Sequence, residues 1–154
     1  MKKTFCALRY SALLLMLALF TWQCQKDEQK TRAELIVGSW VVVSDTYSPA
    51  YDYNGDGTTI TDAFPLWDAC DKDDLFIFKA NGVGEMNMGA TKCDPAEPQA
   101  IPFEWVLKDN STIVTIVDLD DFNIEQLDET TLRLRSMFEE EGVVYTSRIT
   151  FARK

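Results

Sequence analysis

Residues 70–93, CDKDDLFIFKANGVGEMNMGATKC, contain the pattern on which the fold depends. The segment 75–80 is rich in residues that favour strands, and a second such segment follows at 83–88. Between them, Asn81-Gly82 is a strong hairpin signal, because both residues tolerate the positive φ that a tight turn requires. The stretch therefore predicts two antiparallel strands joined by a tight turn. The cysteine at each end lies opposite that turn, where a bridge could join two loops.

The rest of the chain repeats this alternation of short strand-like segments and turns. Eight strands in sequence predict an all-β fold, an eight-stranded antiparallel up-and-down barrel, because a meander of that length can close on itself. A two-sheet sandwich is the structural alternative. A short helical turn over 32–37 precedes the strands, which are predicted at 40–47, 75–80, 83–88, 103–108, 112–117, 122–127, 131–138 and 143–152.

Successive links alternate in length along the predicted barrel. The links after the second, fourth and sixth strands are tight turns, whereas the first and third connections, 48–69 and 89–102, are long. In an up-and-down barrel the tight turns then share one end and the long loops share the other. Cys70 and Cys93 fall at the same, open end.

Side-chain alternation within the strands supports a half-buried sheet. In the strand at 103–108, Phe103, Trp105 and Leu107 share one face and Glu104 lies on the other. Antiparallel strands that place one face on a core and the other in water show this pattern.

Residues 1–23 have the layout of a secretory signal. A basic start precedes an apolar run at 12–20, which is too short to span a bilayer, where about 20 apolar residues are needed. The chain then turns polar at Cys24, and this junction resembles a bacterial lipoprotein signal, in which the cysteine is acylated and becomes the mature N-terminus. Thr21 and Gln23 depart from the usual residues of such signals, in the lax manner of Bacteroidetes-type bacteria.

The lipoprotein resemblance implies an exported protein with a lipid anchor at Cys24 in the outer membrane. The polar run at 25–28 resembles the export signal of Bacteroidetes-type surface lipoproteins, which favours the cell surface over the periplasmic face. An ordinary cleaved signal that leaves the cysteine free is the alternative. The predicted organisation is a signal peptide at 1–23, a polar tether at 24–34 and one barrel domain at 35–154.

The composition argues against several classes of function. The formal net charge of −10 disfavours nucleic acid as a partner. The chain contains no histidine, so it has no Ser-His or Cys-His nucleophile pair and no imidazole metal ligand, and no enzyme activity is predicted. Of the four cysteines, Cys6 is predicted to leave with the signal, and the lipoprotein resemblance implies that Cys24 is acylated. Cys70 and Cys93 are therefore predicted to form a disulfide, as pairs of cysteines in exported proteins usually do.

Gly38-Ser39-Trp40 stands at the start of the first predicted strand, after the short helical turn. In this setting the triplet resembles the Gly-x-Trp signature of lipocalins, and the pattern from Cys70 to Trp105 is similar to the lipocalin-like lipoprotein domains of Bacteroidetes-type bacteria. The resemblance implies a calycin-type barrel closed at one end, with a cavity for a small hydrophobic ligand. A barrel filled by its own side chains, serving as a structural or protein-interaction module, is the alternative. Neither a particular ligand nor an oligomeric state is predicted.

Two sets of residues inside the predicted barrel are candidate sites. In lipocalins an arginine at the end of the last strand packs over the signature tryptophan, and strand parity predicts Arg153, rather than Arg148, as the partner of Trp40. Apolar side chains are also predicted to line a ligand site in the barrel interior, with ordinary core packing as the alternative. These six residues are Trp40, Phe78, Trp105, Leu107, Leu132 and Tyr145.

A stretch in the first long connection resembles half of a calcium-binding loop. Asp52, Asn54 and Asp56 place oxygen ligands at alternate positions before Gly57. The second half does not match, because Ala63 stands where a bidentate glutamate is expected. If a metal binds, a structural Ca²⁺ on these three residues is predicted, and a turn that binds nothing is the alternative. No other cofactor is predicted.

Overall fold

The computed structural model describes residues 30–116 and 119–154. They form one antiparallel sheet in which the first strand pairs with both the third and the last and so closes a barrel. This confirms the predicted all-β, eight-stranded barrel, to which one short strand is added. The elements are α1 (Arg32–Ile36), β1 (Gly38–Tyr51), β2 (Ile60–Asp62), β3 (Leu75–Phe78), β4 (Val83–Asn87), β5 (Ala100–Lys108), β6 (Ile113–Ile116), β7 (Asp121–Leu127), β8 (Thr131–Glu140) and β9 (Val143–Arg153).

The signal peptide at 1–23, Cys24 and the tether up to residue 29 lie outside the described residues. Among the residues that the structure describes, no helix is long and apolar enough to cross a membrane. The helix α1 begins after Thr31, whose hydroxyl and backbone N–H form a capping box with Glu34.

The additional strand, β2, lies in the long connection that the sequence predicts as a loop. β1 is longer than predicted, and its pairing with β3 covers only Gly38 to Val41. β2 pairs with the distal part of β1, so that the connection folds back against the barrel. Ala63, which follows it, is fully buried, and Phe64 and Trp67 pack against the core. The connection is therefore part of the packed domain.

The core lies mainly in the half of the barrel that contains α1 and the tight turns. Trp40 and Leu132 are fully buried near the starts of β1 and β8, and Phe78 is nearly so at the end of β3. The ring of Phe78 meets that of Trp105 edge-on at 5.5 Å, which is a favourable aromatic geometry. Facing side chains thus fill this half of the barrel.

The structure confirms the disulfide between Cys70 and Cys93. The two Cα atoms lie 5.3 Å apart, and the bond joins the connection before β3 to the loop between β4 and β5. Both loops belong to the open end, where the alternation of link lengths places them. The bridge closes a chain segment of 23 residues and holds the two longest loops together.

Candidate functional site

The barrel wall is incomplete beside the first half of β5. This strand pairs with β4 from Ala100 to Glu104, but β6 covers it only from Trp105 to Lys108. Within the described residues, no strand pairs with the other edge of its first half. The mismatch in strand length therefore leaves a lateral gap in the open half of the barrel.

Proline suits the exposed edge of this gap. The N–H of Trp105 donates to the Gly82 carbonyl on the β4 side, at 2.8 Å. Because backbone groups of alternate residues point to opposite sides of an antiparallel strand, those of Pro102 and Glu104 point towards the gap. Pro102 has no N–H to leave unpaired there, which is why proline is tolerated at sheet edges.

A cavity of about 690 Å³ lies against the uncovered part of β5. Such a volume lies within the range of pockets that hold small molecules. Most of its described lining is apolar, and Glu104 is the one charged residue among the described residues that line it. The lining residues are Phe76, Val83, Met86, Ile101, Pro102, Phe103, Glu104, Ile116 and Leu119.

The cavity has a buried wall and an accessible rim. Ile116 is buried, and Phe76 and Phe103 pack against the core. Ile101 and Leu119, in contrast, are 38% and 64% exposed. Large apolar side chains that line a cavity and still reach solvent provide an entry for an apolar molecule.

None of the six side chains predicted to line a ligand site lines this cavity. Trp40, Phe78, Trp105 and Leu132 are instead core residues of the closed half and belong to one hydrophobic cluster. Leu107 packs against the same cluster. Tyr145 lies at the open end of β9, where its ring stacks on Phe138. The cavity instead combines inward side chains of β3 to β6 with Val83, Pro102 and Glu104, which lie on the outer face beside the lateral gap. This feature depends on the pairing of β5 with β6.

The closed end contains the pair predicted from strand parity. The guanidinium carbon of Arg153 lies 4.2 Å from the centroid of the Trp40 ring. Its Nη1 donates to the Val37 carbonyl at 2.9 Å, its Nε donates to the Glu129 carbonyl at 2.6 Å, and its Nη2 donates to the Leu35 carbonyl. One side chain thus joins the end of α1, the start of β1 and the turn before β8.

Gly38 and the Trp40 indole complete this end. A Cβ on residue 38 would collide with Nη1 of Arg153, and the φ of +144° is rare for any other residue. The indole N–H of Trp40 donates to the Ile36 carbonyl at 2.8 Å. Arg148 lies on the outer face and pairs with Glu125 instead. The Gly-x-Trp triplet therefore has a structural role at the closed end.

A second polar feature lies inside the barrel, at Asp45 of β1, which is only 2% exposed. Its Oδ2 accepts hydrogen bonds from the Tyr47 hydroxyl at 3.4 Å and from the Trp67 indole N–H at 3.3 Å. Its Oδ1 is buried and has no partner among the described residues. Burial raises the pKa of Asp45 above its ordinary value, while the hydrogen bonds from Trp67 and Tyr47 oppose that shift.

Simple alternation along β1 would place Asp45 on the outer face. Trp40 and Val42 face inward, so the next inward position would be Ser44. The register of β1 against β9 shifts between Val42 and Ser44, and Val43 becomes exposed at this bulge. A bulge inserts one residue and reverses the parity beyond it, so Asp45 turns inward.

Aromatic rings surround the open end near Asp45. The Tyr47 ring lies 5.2 Å from that of Tyr51 and 6.3 Å from that of Phe138, and Tyr51 meets Tyr145 at 4.9 Å. Burial, followed by the nearby Asp45, raises the pKa of Tyr47 to about 12. Tyr47 therefore stays protonated at neutral pH, and its hydroxyl donates a hydrogen bond to the Asp45 carboxylate.

Comparison with known proteins assigns the family. The model of the lipocalin-like domain matches residues 36–134, which is more than half of the chain. The chain belongs to the lipocalin-like domain family. This confirms the resemblance to lipocalins, whereas the likeness to Bacteroidetes-type lipoprotein domains stays a prediction.

Two further comparisons accompany this lipocalin-like assignment. Among solved structures, the chain is similar to a bovine odorant-binding protein in complex with a selenium-containing odorant, at 13% identity and a TM-score of 0.41. The similarity covers 86% of this chain and 78% of that one. No curated protein matches the lipocalin-like chain.

The predicted calcium ligands of this lipocalin-like protein form a tight polar turn. The Asp52 carboxylate accepts the backbone N–H groups of Asp56 and Gly57, and Asn54 bonds to Asp56 through both its amide oxygen and its amide nitrogen. These hydrogen bonds are typical of an Asx-type turn, which forms with or without a bound metal. Calcium binding here stays a prediction.

Proposed function

We propose that this protein is an exported, lipid-anchored lipocalin-like protein that binds a small apolar ligand in the cavity beside β5. The observation that carries the proposal is the cavity of about 690 Å³ with its mainly apolar lining. A barrel that served only as a filled structural module would have no need of such a space. The absence of histidine from the sequence and the bridging of Cys70 with Cys93 favour binding without catalysis.

A neutral fluorescent probe, N-phenyl-naphthylamine, tests this proposal, because its emission rises in apolar surroundings. The decisive variant is Ile101→Trp, which places a bulky ring in the cavity from a position that is already partly exposed. The matched control is Val106→Trp on the same strand, since Val106 is 47% exposed and does not line the cavity.

We expect the wild type and the Val106→Trp variant to bind the probe equally. Ile101→Trp should bind it at least about tenfold more weakly, which corresponds to about 1.4 kcal/mol. Failure of the wild type to bind, or equal binding by the two tryptophan variants, would contradict a ligand site in this cavity. Native mass spectrometry of protein from its own host, after removal of the anchor, would then identify a co-purifying molecule.

The lipid anchor is proposed from the sequence of residues 1–28 and its resemblance to Bacteroidetes-type lipoprotein signals. The described chain starts at Lys30, whose amine pairs with Glu129 at 2.7 Å, beside the turn between β7 and β8. A tether from Cys24 would therefore reach the barrel at its closed end. An anchor there leaves the open half, with the cavity, directed away from the membrane.

Intact-mass measurement of the membrane fraction tests the anchor. We expect a chain that starts at Cys24 and carries the added mass of acyl groups. The Cys24→Ser variant should lose both the acyl mass and the membrane association, whereas Cys6→Ser should change neither. An unmodified N-terminus at another residue would rule the anchor out. Protease treatment of whole cells then distinguishes the cell surface from the periplasmic face.

A further inference from the structure

Asp45 is a carboxyl group that the protein does not fully satisfy. It is only 2% exposed, and its Oδ1 has no hydrogen-bond partner among the described residues. Nor does any salt bridge between described residues involve it. A buried carboxylate oxygen without a partner is costly, so proteins rarely keep one unless a ligand or a function uses it.

Asp45 and the cavity share the interior surface of the barrel. Asp45 pairs across the sheet with Ile149, and Phe151 lies two residues further along the same face of β9. The ring of Phe151 contacts that of Phe76 edge-on, with centroids 5.4 Å apart. Because Phe76 lines the cavity, neighbouring side chains of the inner face lead from the cavity wall towards the carboxyl group, which is not itself among the lining residues.

The surroundings of Asp45 favour a positive group. The face of an aromatic ring attracts a cation, and three further rings, those of Tyr51, Tyr53 and Phe138, lie within 6.3 Å of the Tyr47 ring. A carboxylate ligand would meet the like charge of Asp45 and the formal net charge of −10 on the whole chain. The interior therefore offers an apolar wall on one side and an anionic, aromatic wall on the other.

We propose that Asp45 binds the ammonium group of a cationic amphiphile whose apolar chain occupies the cavity beside β5. One ammonium N–H would donate to Oδ1, the oxygen that has no partner, while Tyr47 and Trp67 keep their hydrogen bonds to Oδ2. An ammonium group supplies a hydrogen bond to Oδ1 and also balances the charge of the buried carboxylate, whereas a neutral donor such as a hydroxyl supplies only the hydrogen bond. This inference rests on the proposed function, since it names the class of ligand for the same barrel.

Three probes with the same chain test the inference: dodecylammonium, dodecanol and dodecanoate. Each is measured by displacement of N-phenyl-naphthylamine from the mature, disulfide-bonded protein. We expect dodecylammonium to bind the wild type about tenfold more tightly than dodecanol, and dodecanoate to bind most weakly. This comparison requires no variant, so it holds even if a substitution at Asp45 impairs folding.

The variant Asp45→Asn removes the charge with little change of shape. It should bind dodecanol as the wild type does but lose the preference for dodecylammonium. The matched control, Asp62→Asn, removes an exposed charge close to Asp45 and should keep the preference. Equal binding of all three probes, a preference for dodecanoate, or a preference for the amine that survives Asp45→Asn would overturn the inference.

The outcomes separate this inference from the proposed function. If dodecanol binds the wild type without any preference for the amine, the cavity binds apolar ligands and the role of Asp45 is refuted. If N-phenyl-naphthylamine binds the wild type but none of the three amphiphiles displaces it, the inference alone is refuted. If N-phenyl-naphthylamine itself does not bind, the proposed function fails, and the inference fails with it.

Discussion

Replacement of Arg153 by alanine removes four interactions from the closed end at once. The guanidinium lies over the Trp40 ring and donates to three carbonyls, one each from Leu35, Val37 and Glu129. The Leu35 carbonyl lies in α1, the Val37 carbonyl follows the helix, and the Glu129 carbonyl lies in the turn before β8. The substitution therefore leaves acceptors unpaired as well as a ring uncovered.

The magnitude follows from these contacts. A cation over an indole contributes about 0.5–2 kcal/mol. A hydrogen bond to a charged group contributes about 1.5–3 kcal/mol, but bonds from a single side chain are not additive and some acceptors will bind water instead. We therefore expect Arg153→Ala to lower the free energy of unfolding by about 3–5 kcal/mol, a large share of the about 5–15 kcal/mol of an ordinary domain.

Arg148→Ala is the matched control, since it removes the same side chain from the outer face of the same strand. Arg148 pairs with Glu125, and the two side chains are 40% and 30% exposed. Exposed pairs of this kind contribute about 0–1 kcal/mol. Glu125 also keeps a second partner in Arg135, at 3.3 Å. We expect a loss of at most about 1 kcal/mol.

Urea titrations of the mature, disulfide-bonded protein measure both losses. Arg153→Lys should lie between the wild type and Arg153→Ala, because lysine keeps a charge over Trp40 but cannot donate to three carbonyls in a planar fork. Equal midpoints for Arg153→Ala and Arg148→Ala, or a larger loss at Arg148, would refute the role assigned to the closed end.

Three further predictions concern the open end. Replacing both Cys70 and Cys93 by serine should lower the free energy of unfolding by about 3 kcal/mol in urea titrations, because the unfolded chain regains the freedom of the closed loop, whereas an unchanged midpoint would contradict this. Burial, followed by the charges of neighbouring acidic residues, raises the pKa of Asp74 from 3.8 to about 6. The folded state thus binds the proton of Asp74 more tightly than the unfolded state does. As the pH rises from about 4 to 6, the wild type should therefore lose more stability than Asp74→Asn does. Parallel pH profiles of the two proteins would contradict this prediction. If calcium binds, millimolar calcium should raise the melting temperature of the wild type but not that of Asp52→Asn, and calorimetry without heat would end that prediction.

Local signals in the sequence account for much of the fold. Asn81-Gly82 predicts the turn between β3 and β4, and the structure has a positive φ at Gly82. Long and tight links alternate along the chain, and this alternation places Cys70 and Cys93 at the same end of the barrel. The alternation of side chains along β9 places Arg153 on the inner face, together with Ile149 and Phe151. Each of these features depends on residues close in sequence or on a strict period of two.

The inward position of Asp45 and the existence of the cavity depend on irregular strand pairing, which the sequence pattern does not reveal. A sequence with ideal alternation would place Asp45 in water and Ser44 in the barrel, and the bulge at Val43 reverses both. The cavity exists because β6 ends at Ile116, before it can cover the first half of β5. Both deviations lie in the open half, whereas the closed half follows the simple pattern. The residues that make the barrel stable were therefore predictable from the sequence, and those proposed to bind a ligand required the register of the strands.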